Sequence, residues 1–170
     1  LQVNRKFLGE EGSIALRNWI KDSVASNKPY DQFAREIIAA SGSNVENPPA
    51  AYWKVIRDPA SLMENTTHLF LAVRFNCNKC HDHPFDPQWK QHHFEGLAAF
   101  FCQTAVTVGG VTDRRTGEDD KAVVYKVVDP GAEEDDARIV PEAVPFNSEW
   151  LPADGGLRHR LADWITHHEN

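Results

Sequence analysis

The chain is poor in cysteine and lacks both long apolar runs and an excess of positive charge. Its 170 residues include three cysteines, which are too few for a disulfide scaffold. No apolar run approaches the roughly 20 residues of a membrane-spanning helix, so we expect no membrane span in this segment. Acidic residues outnumber Lys and Arg by 25 to 18, a net charge of −7. Because nucleic-acid surfaces are basic, nucleic acid is not an expected partner.

The length and the two ends of the chain predict one domain taken from a longer protein. With 41% apolar residues, 170 residues can form one sizeable core. The chain opens on Leu1 without a methionine or a signal-peptide pattern. Its closing stretch, "LRHRLADWITHHEN", begins a helical pattern and stops without a C-cap signal. We therefore expect residues 1–170 to be a single domain and a fragment of a larger protein.

Apolar spacing predicts a mainly α-helical part over residues 1–103. The pattern predicts helices over 13–24, in the "NKPYDQFAREIIAASG" stretch, from Asp58 towards Cys77, and from Trp89 to Phe101. Asp58 is a plausible N-cap, with a proline at the next position, where its missing N–H costs nothing. A last helix is expected within 151–170.

Residues 104–150 have a different character, which predicts a small β insertion. "TAVTVGG" and "KAVVYKVVDP" combine β-branched residues with turn signals, and "ARIVP" is a further short strand pattern. Two acidic stretches, "GEDD" and "EEDD", are expected to be solvated loops because their spacing matches no calcium loop.

The stretch "FNCNKCHDHPFDP" contains the strongest chemical motif of the chain. Cys77, Cys80 and His81 match the C-x-x-C-H pattern of covalent c-type haem attachment. Two thiols separated by two residues project towards the two vinyl groups on one edge of the porphyrin. The following histidine then lies under the ring as the proximal iron ligand. The pattern predicts one covalently bound haem c.

Three other interpretations of the same residues remain open. A zinc site could use Cys77, Cys80, a neighbouring histidine and Cys102, although a structural zinc site needs four closed ligands and no second paired motif is present. A redox dithiol is less consistent, because such motifs follow a strand and here a helix precedes the motif. The third alternative is a plain disulfide between Cys77 and Cys80.

The remaining candidate residues are imidazoles and a thioether near the motif. His83 could hydrogen-bond a haem propionate or support a ligand, and its other interpretation is a turn residue before a proline. For a sixth iron ligand the candidates are Met63, the only methionine, and His93, with His68 and His92 less favoured. Five-coordinate iron is also open, and it would favour small-molecule or peroxide chemistry.

Several stretches together resemble one known family. They are "NKPYDQFAREIIAASGS", "ENPPAAYW", "TTHLFLAVRFNCNKCHDHPFDPQWKQHHFEGLAAFF" and "LRHRLADWIT". They resemble a cytochrome-like domain of unknown function from large secreted multidomain proteins of planctomycetes. The resemblance implies haem attachment at Cys77, Cys80 and His81, with His83, Pro84 and Asp86 as accompanying positions. It also implies a separate cytochrome c domain earlier in the same chain.

Taken together, these patterns predict a helical c-type-cytochrome-like domain with a small β-hairpin or sheet insertion. The expected function is electron transfer by one haem, with a redox partner protein or a neighbouring cytochrome domain of the same chain as partner. Because haem is attached covalently outside the cytoplasm, we expect a periplasmic or exported location. The alternatives are a zinc- or disulfide-stapled interaction module and a haem enzyme with an open iron site.

Overall fold

The computed structural model describes residues 3–170, and this part of the chain is helix-rich. It contains six α-helices and two small antiparallel sheets of two strands each. The helices are α1 (Arg5–Ala25), α2 (Tyr30–Ile38), α3 (Ala51–Val55), α4 (Pro59–Phe70), α5 (Gln91–Ala99) and α6 (Leu157–Ile165). The strands are β1 (Thr104–Thr107), β2 (Gly110–Asp113), β3 (Tyr125–Val127) and β4 (Arg138–Val140).

The described residues form two compact units. The first unit contains residues up to 57 together with 104–113 and 152–170, and the second contains 58–103 and 114–151. The predicted organisation, one domain with segments 1–103, 104–150 and 151–170, stays a prediction.

The first unit combines α1, α2, α3 and α6 with the β1–β2 hairpin. Helix α2 packs against α6, and α3 packs against both α1 and β2. The edge of the hairpin is joined to the chain after α2, where the backbone of Val111 exchanges two hydrogen bonds with Gly42. Gly110 makes this approach possible, because a Cβ there would lie 2.0 Å from the Gly42 carbonyl oxygen.

A fully buried arginine connects the elements of the first unit. The Nε of Arg158 in α6 donates to Asp113 Oδ1 at 2.7 Å, and its Nη1 donates to the Ala40 carbonyl at 2.5 Å. Its guanidinium carbon lies 5.0 Å from the ring centre of Trp53, whose indole N–H donates to the Ile37 carbonyl. One charged side chain thus joins residues from α6, β2, α3 and the end of α2.

The second unit is built on α4 and α5, with the β3–β4 sheet packed against α5. Glu95 of α5 is buried and accepts a hydrogen bond from Arg138 of β4 at 2.5 Å. Arg138 also forms an ion pair with Asp129, so its guanidinium connects α5 to the loop after β3. Burial and the nearby Glu95 carboxylate raise the pKa of Tyr125 in β3.

The start of α4 gives a first testable prediction. Asp58 accepts a hydrogen bond from the backbone N–H of Ser61 at 2.9 Å, as an N-cap does. Asp58→Ala should lower the free energy of unfolding by about 1 kcal/mol, measured by urea titration at pH 7. Asp58→Asn is the matched control, because asparagine caps equally well and should leave stability nearly unchanged.

The pH dependence of the same cap has a defined sign. Partial burial tends to raise the pKa of Asp58, but the hydrogen bonds from Ser61 outweigh it, so the pKa is lowered in the folded state. A lowered folded pKa means that the carboxylate stabilises the fold above its unfolded pKa and loses this effect as pH falls through the folded value. Equal acid sensitivity of Asp58→Asn and the natural chain would contradict this role.

The structure confirms a helix-rich chain with small β elements and corrects several boundaries. Helix α1 begins at Arg5, eight residues before the predicted start, with Asn4 as its N-cap and a kink at Gly9. Helix α3 was not predicted, because five residues are too few to show a helical period. Helix α4 does not run to Cys77. It ends at Phe70 and is followed by Ala72, a left-handed residue with φ of 56°.

No helix in the part of the chain that the structure describes is long and apolar enough to cross a membrane. The expected absence of a span within this segment agrees with that finding.

Candidate functional site

The cysteine motif lies in the segment between α4 and α5, in the second unit. A short 3-10 turn covers Asn76–Lys79, and the backbone N–H groups of Cys80 and His81 both donate to the Cys77 carbonyl. Cys77 and Cys80 are free thiols with exposed side chains, and His81 is also exposed. Both thiols and the imidazole are therefore accessible for chemistry.

Two buried residues, one before the thiols and one between them, anchor the turn to Trp89. Asn78 is fully buried, and its Nδ2 donates to the Trp89 carbonyl at 2.8 Å. Phe75 is also fully buried, with its ring edge-on to that of Trp89 at 4.9 Å between centres. Because a 3-10 turn has three residues per turn, Phe75 and Asn78 share its buried side, while Cys77 and Cys80 face solvent.

The ring orientation of His81 is set by a backbone carbonyl. Its Nδ1 lies 2.6 Å from the carbonyl oxygen of Asp82. A carbonyl oxygen only accepts, so Nδ1 carries the hydrogen and Nε2 is left with its lone pair. This is the arrangement found at metal-ligating histidines, where the second ring nitrogen donates to a carbonyl or a carboxylate.

Asp82 ties the motif to the start of α5. Its carboxylate accepts from the backbone N–H of Gln91 and from the ammonium of Lys90, each at 3.0 Å. The hydrogen bond from Gln91, and next the one from Lys90, lower the pKa of the Asp82 carboxyl. The carboxylate is therefore ionised and holds the peptide that orients His81.

His83 forms the turn that follows the motif. Its Nδ1 accepts from the backbone N–H groups of Phe85 at 3.3 Å and Asp86 at 3.0 Å. Its own backbone N–H donates to the Trp89 carbonyl at 2.9 Å. With Nδ1 accepting two hydrogen bonds, the neutral ring carries its hydrogen on Nε2. The predicted role of His83 as a turn residue thus accounts for the hydrogen bonds of Nδ1. The other ring nitrogen, Nε2, is a hydrogen-bond donor.

The candidates for a sixth ligand lie in structural environments. Met63 is fully buried in α4, with the Thr67 hydroxyl 3.8 Å from its sulfur. His93 accepts from the backbone N–H of Lys90 through Nδ1 as part of a capping box. Burial, and next the neighbouring His92, lower the pKa of His93. A ligand role for Met63 or His93 stays a prediction.

The third cysteine, Cys102, differs from Cys77 and Cys80 in its surroundings. Cys102 is half-buried after α5, with its sulfur 3.8 Å from the Val123 carbonyl oxygen. Burial raises the pKa of its thiol, which keeps it protonated. Among residues 3–170, no three His, Cys, Asp or Glu side chains are grouped so that they could hold a metal ion.

Sequence reasoning missed two residues that shape this site. Asn78 was only a spacer in the motif, yet it is the buried residue that anchors the turn. The sequence predicts Trp89 as the first residue of a helix. In the structure Trp89 precedes α5, and its carbonyl oxygen accepts two hydrogen bonds. Backbone acceptors have no signature in an amino-acid sequence, so no local signal indicated this role.

Comparison with known protein families identifies a family whose model matches the chain. The model of the family PSCyt2, described as protein of unknown function (DUF1549), matches residues 6–106, more than half of the chain. The chain belongs to this family. The match to DUF1549 includes the whole cysteine motif and extends to α1, α2 and the β1 strand.

Membership of DUF1549 supports the predicted resemblance at the level of a domain family of unknown function. The cytochrome-like nature and the planctomycete origin that the resemblance implies stay predictions. No curated protein and no solved structure matches the chain.

Proposed function

We propose that this chain is a mono-haem c-type cytochrome domain that carries electrons. The observation that supports it most is the exposed set of Cys77, Cys80 and His81, in which the His81 Nδ1–H bond leaves Nε2 free to ligate iron. A covalent cofactor needs accessible thiols, and both thiols are exposed. Phe85, 91% exposed in the following turn, adds apolar surface near these polar groups.

The residues present fit a covalently held haem. Thioether bonds at Cys77 and Cys80 would hold it, and Nε2 of His81 would be the proximal ligand. Bound haem supplies a one-electron couple between ferric and ferrous iron. The chain itself keeps the His81 ring in one orientation through the Asp82 carbonyl, while Asn78 and Phe75 keep the turn rigid.

Electron transfer needs no catalytic base, which agrees with the supporting roles of the nearby polar groups. Asp82 holds the start of α5, and His83 holds its own turn. The proposed partner is a redox protein or a neighbouring cytochrome domain of the same longer chain. The proposed location is the periplasm or the exterior, where haem attachment takes place.

The decisive experiment is expression in a host that matures c-type cytochromes. The natural chain should show a sharp reduced α-band and, after denaturation, an intact mass raised by one haem. Cys77→Ala/Cys80→Ala should give the apo mass, because both thioether bonds are lost. His81→Ala should retain covalent haem in part but change the band positions, because the proximal ligand is missing.

Cys102→Ala is the matched control for cysteine removal. It should retain the colour and the mass of the natural chain, because the Cys102 sulfur is directed to the Val123 carbonyl. A colourless natural chain at the apo mass would overturn the cytochrome proposal. Zinc content and free-thiol assays would then decide whether Cys77 and Cys80 form a zinc or disulfide staple.

A further inference from the structure

An open cleft of about 450 Å³ lies beside the motif within the second unit. Ala72 and Trp89 contribute apolar wall, and polar groups come from His68, Arg74, His83 and Asp86. This volume is within the roughly 300–1,000 Å³ of small-molecule sites, which combine apolar walls with a few polar groups. The wall includes the left-handed Ala72, and strained backbone of this kind is concentrated at binding sites.

His83 lines this cleft, and its ring carries a hydrogen-bond donor. Its Nδ1 accepts from the N–H groups of Phe85 and Asp86, so its hydrogen is on Nε2. An Nε2–H group cannot ligate a metal without loss of its proton, and that loss would leave an imidazolate. A ligand that meets Nε2 of His83 must therefore offer a hydrogen-bond acceptor.

Arg74 supplies a second donor and a positive charge. Its side chain is exposed, and none of the ion pairs described between residues 3 and 170 uses it. A guanidinium binds carboxylates through two parallel N–H···O bonds, which are stronger than bonds between neutral groups.

Asp86 limits the charge of the ligand. One of its carboxylate oxygens accepts from the backbone N–H of Gln88 at 3.1 Å, and its negative charge offsets that of Arg74. Because these two charges cancel, no net positive charge offsets the larger desolvation cost of a dianion such as phosphate, and a single carboxylate, whose desolvation cost is lower, is the better match. The apolar wall at Ala72 and Trp89 suits a carboxylate on an apolar body.

We propose that this cleft binds a monocarboxylate through the Nε2–H of His83 and the guanidinium of Arg74, with the apolar part against Ala72 and Trp89. The carboxylate has two sources, a free small molecule or a propionate of the chain's own haem. Only the propionate source rests on the proposed function.

The first arm of the test uses the haem-free chain from a host without the maturation machinery. Benzoate is the probe, and benzamide, which has the same ring and no charge, is the control probe. Amide NMR shifts should move at residues 72–74 and at the non-proline residues of 83–89 with benzoate and not with benzamide. Arg74→Gln should weaken benzoate binding by about tenfold or more.

Arg115→Gln is the matched control, because Arg115 is equally exposed and lies outside the cleft. It should bind benzoate as the natural chain does. His83→Gln should also weaken binding, and its amide spectrum away from the cleft shows whether the variant is folded. Arg74→Gln changes an exposed side chain, so its result does not depend on that check.

The second arm uses the haem-loaded chain and the propionate bending band in resonance Raman spectra. If a propionate fills the cleft, Arg74→Gln shifts that band and added benzoate does not bind. If the ligand is a free carboxylate, the band is unchanged and benzoate binds with haem present. Absence of both benzoate binding and a band shift overturns the proposal. If the chain takes up no haem, the first arm alone decides, so the two proposals fail separately.

Discussion

Replacing Arg158 by alanine should lower the free energy of unfolding by about 3–5 kcal/mol, a large fraction of the stability of a small protein. The Arg158 side chain is 0% exposed, and Asp113, which is 19% exposed, is its ion-pair partner. Removal of the guanidinium leaves the Asp113 carboxylate largely buried without a counter-charge. It also removes donors from the carbonyls of Ile38 and Ala40.

The partner variant separates charge from packing. Asp113→Asn retains a hydrogen-bond acceptor for Arg158 but leaves the fully buried guanidinium without a counter-charge, so it should also be strongly destabilising. The double variant Arg158→Ala/Asp113→Asn should cost less than the sum of its two single changes, because no unpaired charge is left buried. Urea unfolding followed by circular dichroism measures all four chains.

Arg17→Ala is the matched control, since Arg17 is an exposed arginine on α1 of the same unit. We expect a change within about 0.5 kcal/mol. If Arg158→Ala were as mild as Arg17→Ala, the buried arginine would not join these elements as the structure indicates.

Phe75→Ala should destabilise the chain by about 3–5 kcal/mol, because it opens a cavity in the second unit. Phe75 is 0% exposed and lies edge-on to Trp89, and its carbonyl accepts from the Asn78 backbone N–H at 2.8 Å. Phe75 thus connects the core to the turn that carries Cys77. Phe75→Leu, which fills most of the space, should lose less.

Phe85→Ala provides the matched control for a phenylalanine near the same motif. Phe85 is 91% exposed, so its removal should change the stability of the haem-free chain by no more than about 0.5 kcal/mol. Thermal unfolding of the haem-free variants measures both effects. Similar losses for Phe75→Ala and Phe85→Ala would contradict the burial that distinguishes the two side chains.

Local patterns in the sequence were reliable where a local cause sets the structure. The Asp58–Pro59 start of α4 was predicted because an N-cap depends only on a side chain and the backbone three residues later. The β-branched patterns likewise predicted the strands β1, β3 and β4, but not β2, nor the pairing of β1 with β2 and of β3 with β4. The C-x-x-C-H motif is a spacing pattern, so it placed Cys77, Cys80 and His81 together without knowledge of the fold.

Other features depend on residues far apart in the chain. Helix α4 has a continuous apolar pattern beyond Phe70, yet it ends there, where the Val73 N–H turns back to the Thr67 carbonyl. The turn then brings Phe75 and Asn78 to Trp89, a contact across more than ten residues. Helical periodicity contains no information about such a helix end, because the contacts that follow it, such as that of Phe75 with Trp89, join residues far apart in the chain.

The sequence by itself determined a helix-rich chain with small β elements and a compact set of two thiols and an imidazole. Only the tertiary structure decided which side chains of the motif face solvent, which nitrogen of His81 and of His83 carries hydrogen, and that Arg158 is buried against Asp113. The physical reason is the range of the interactions. Capping and spacing act within a few residues, whereas hydrogen bonds to backbone carbonyls and buried ion pairs exist only after distant segments meet.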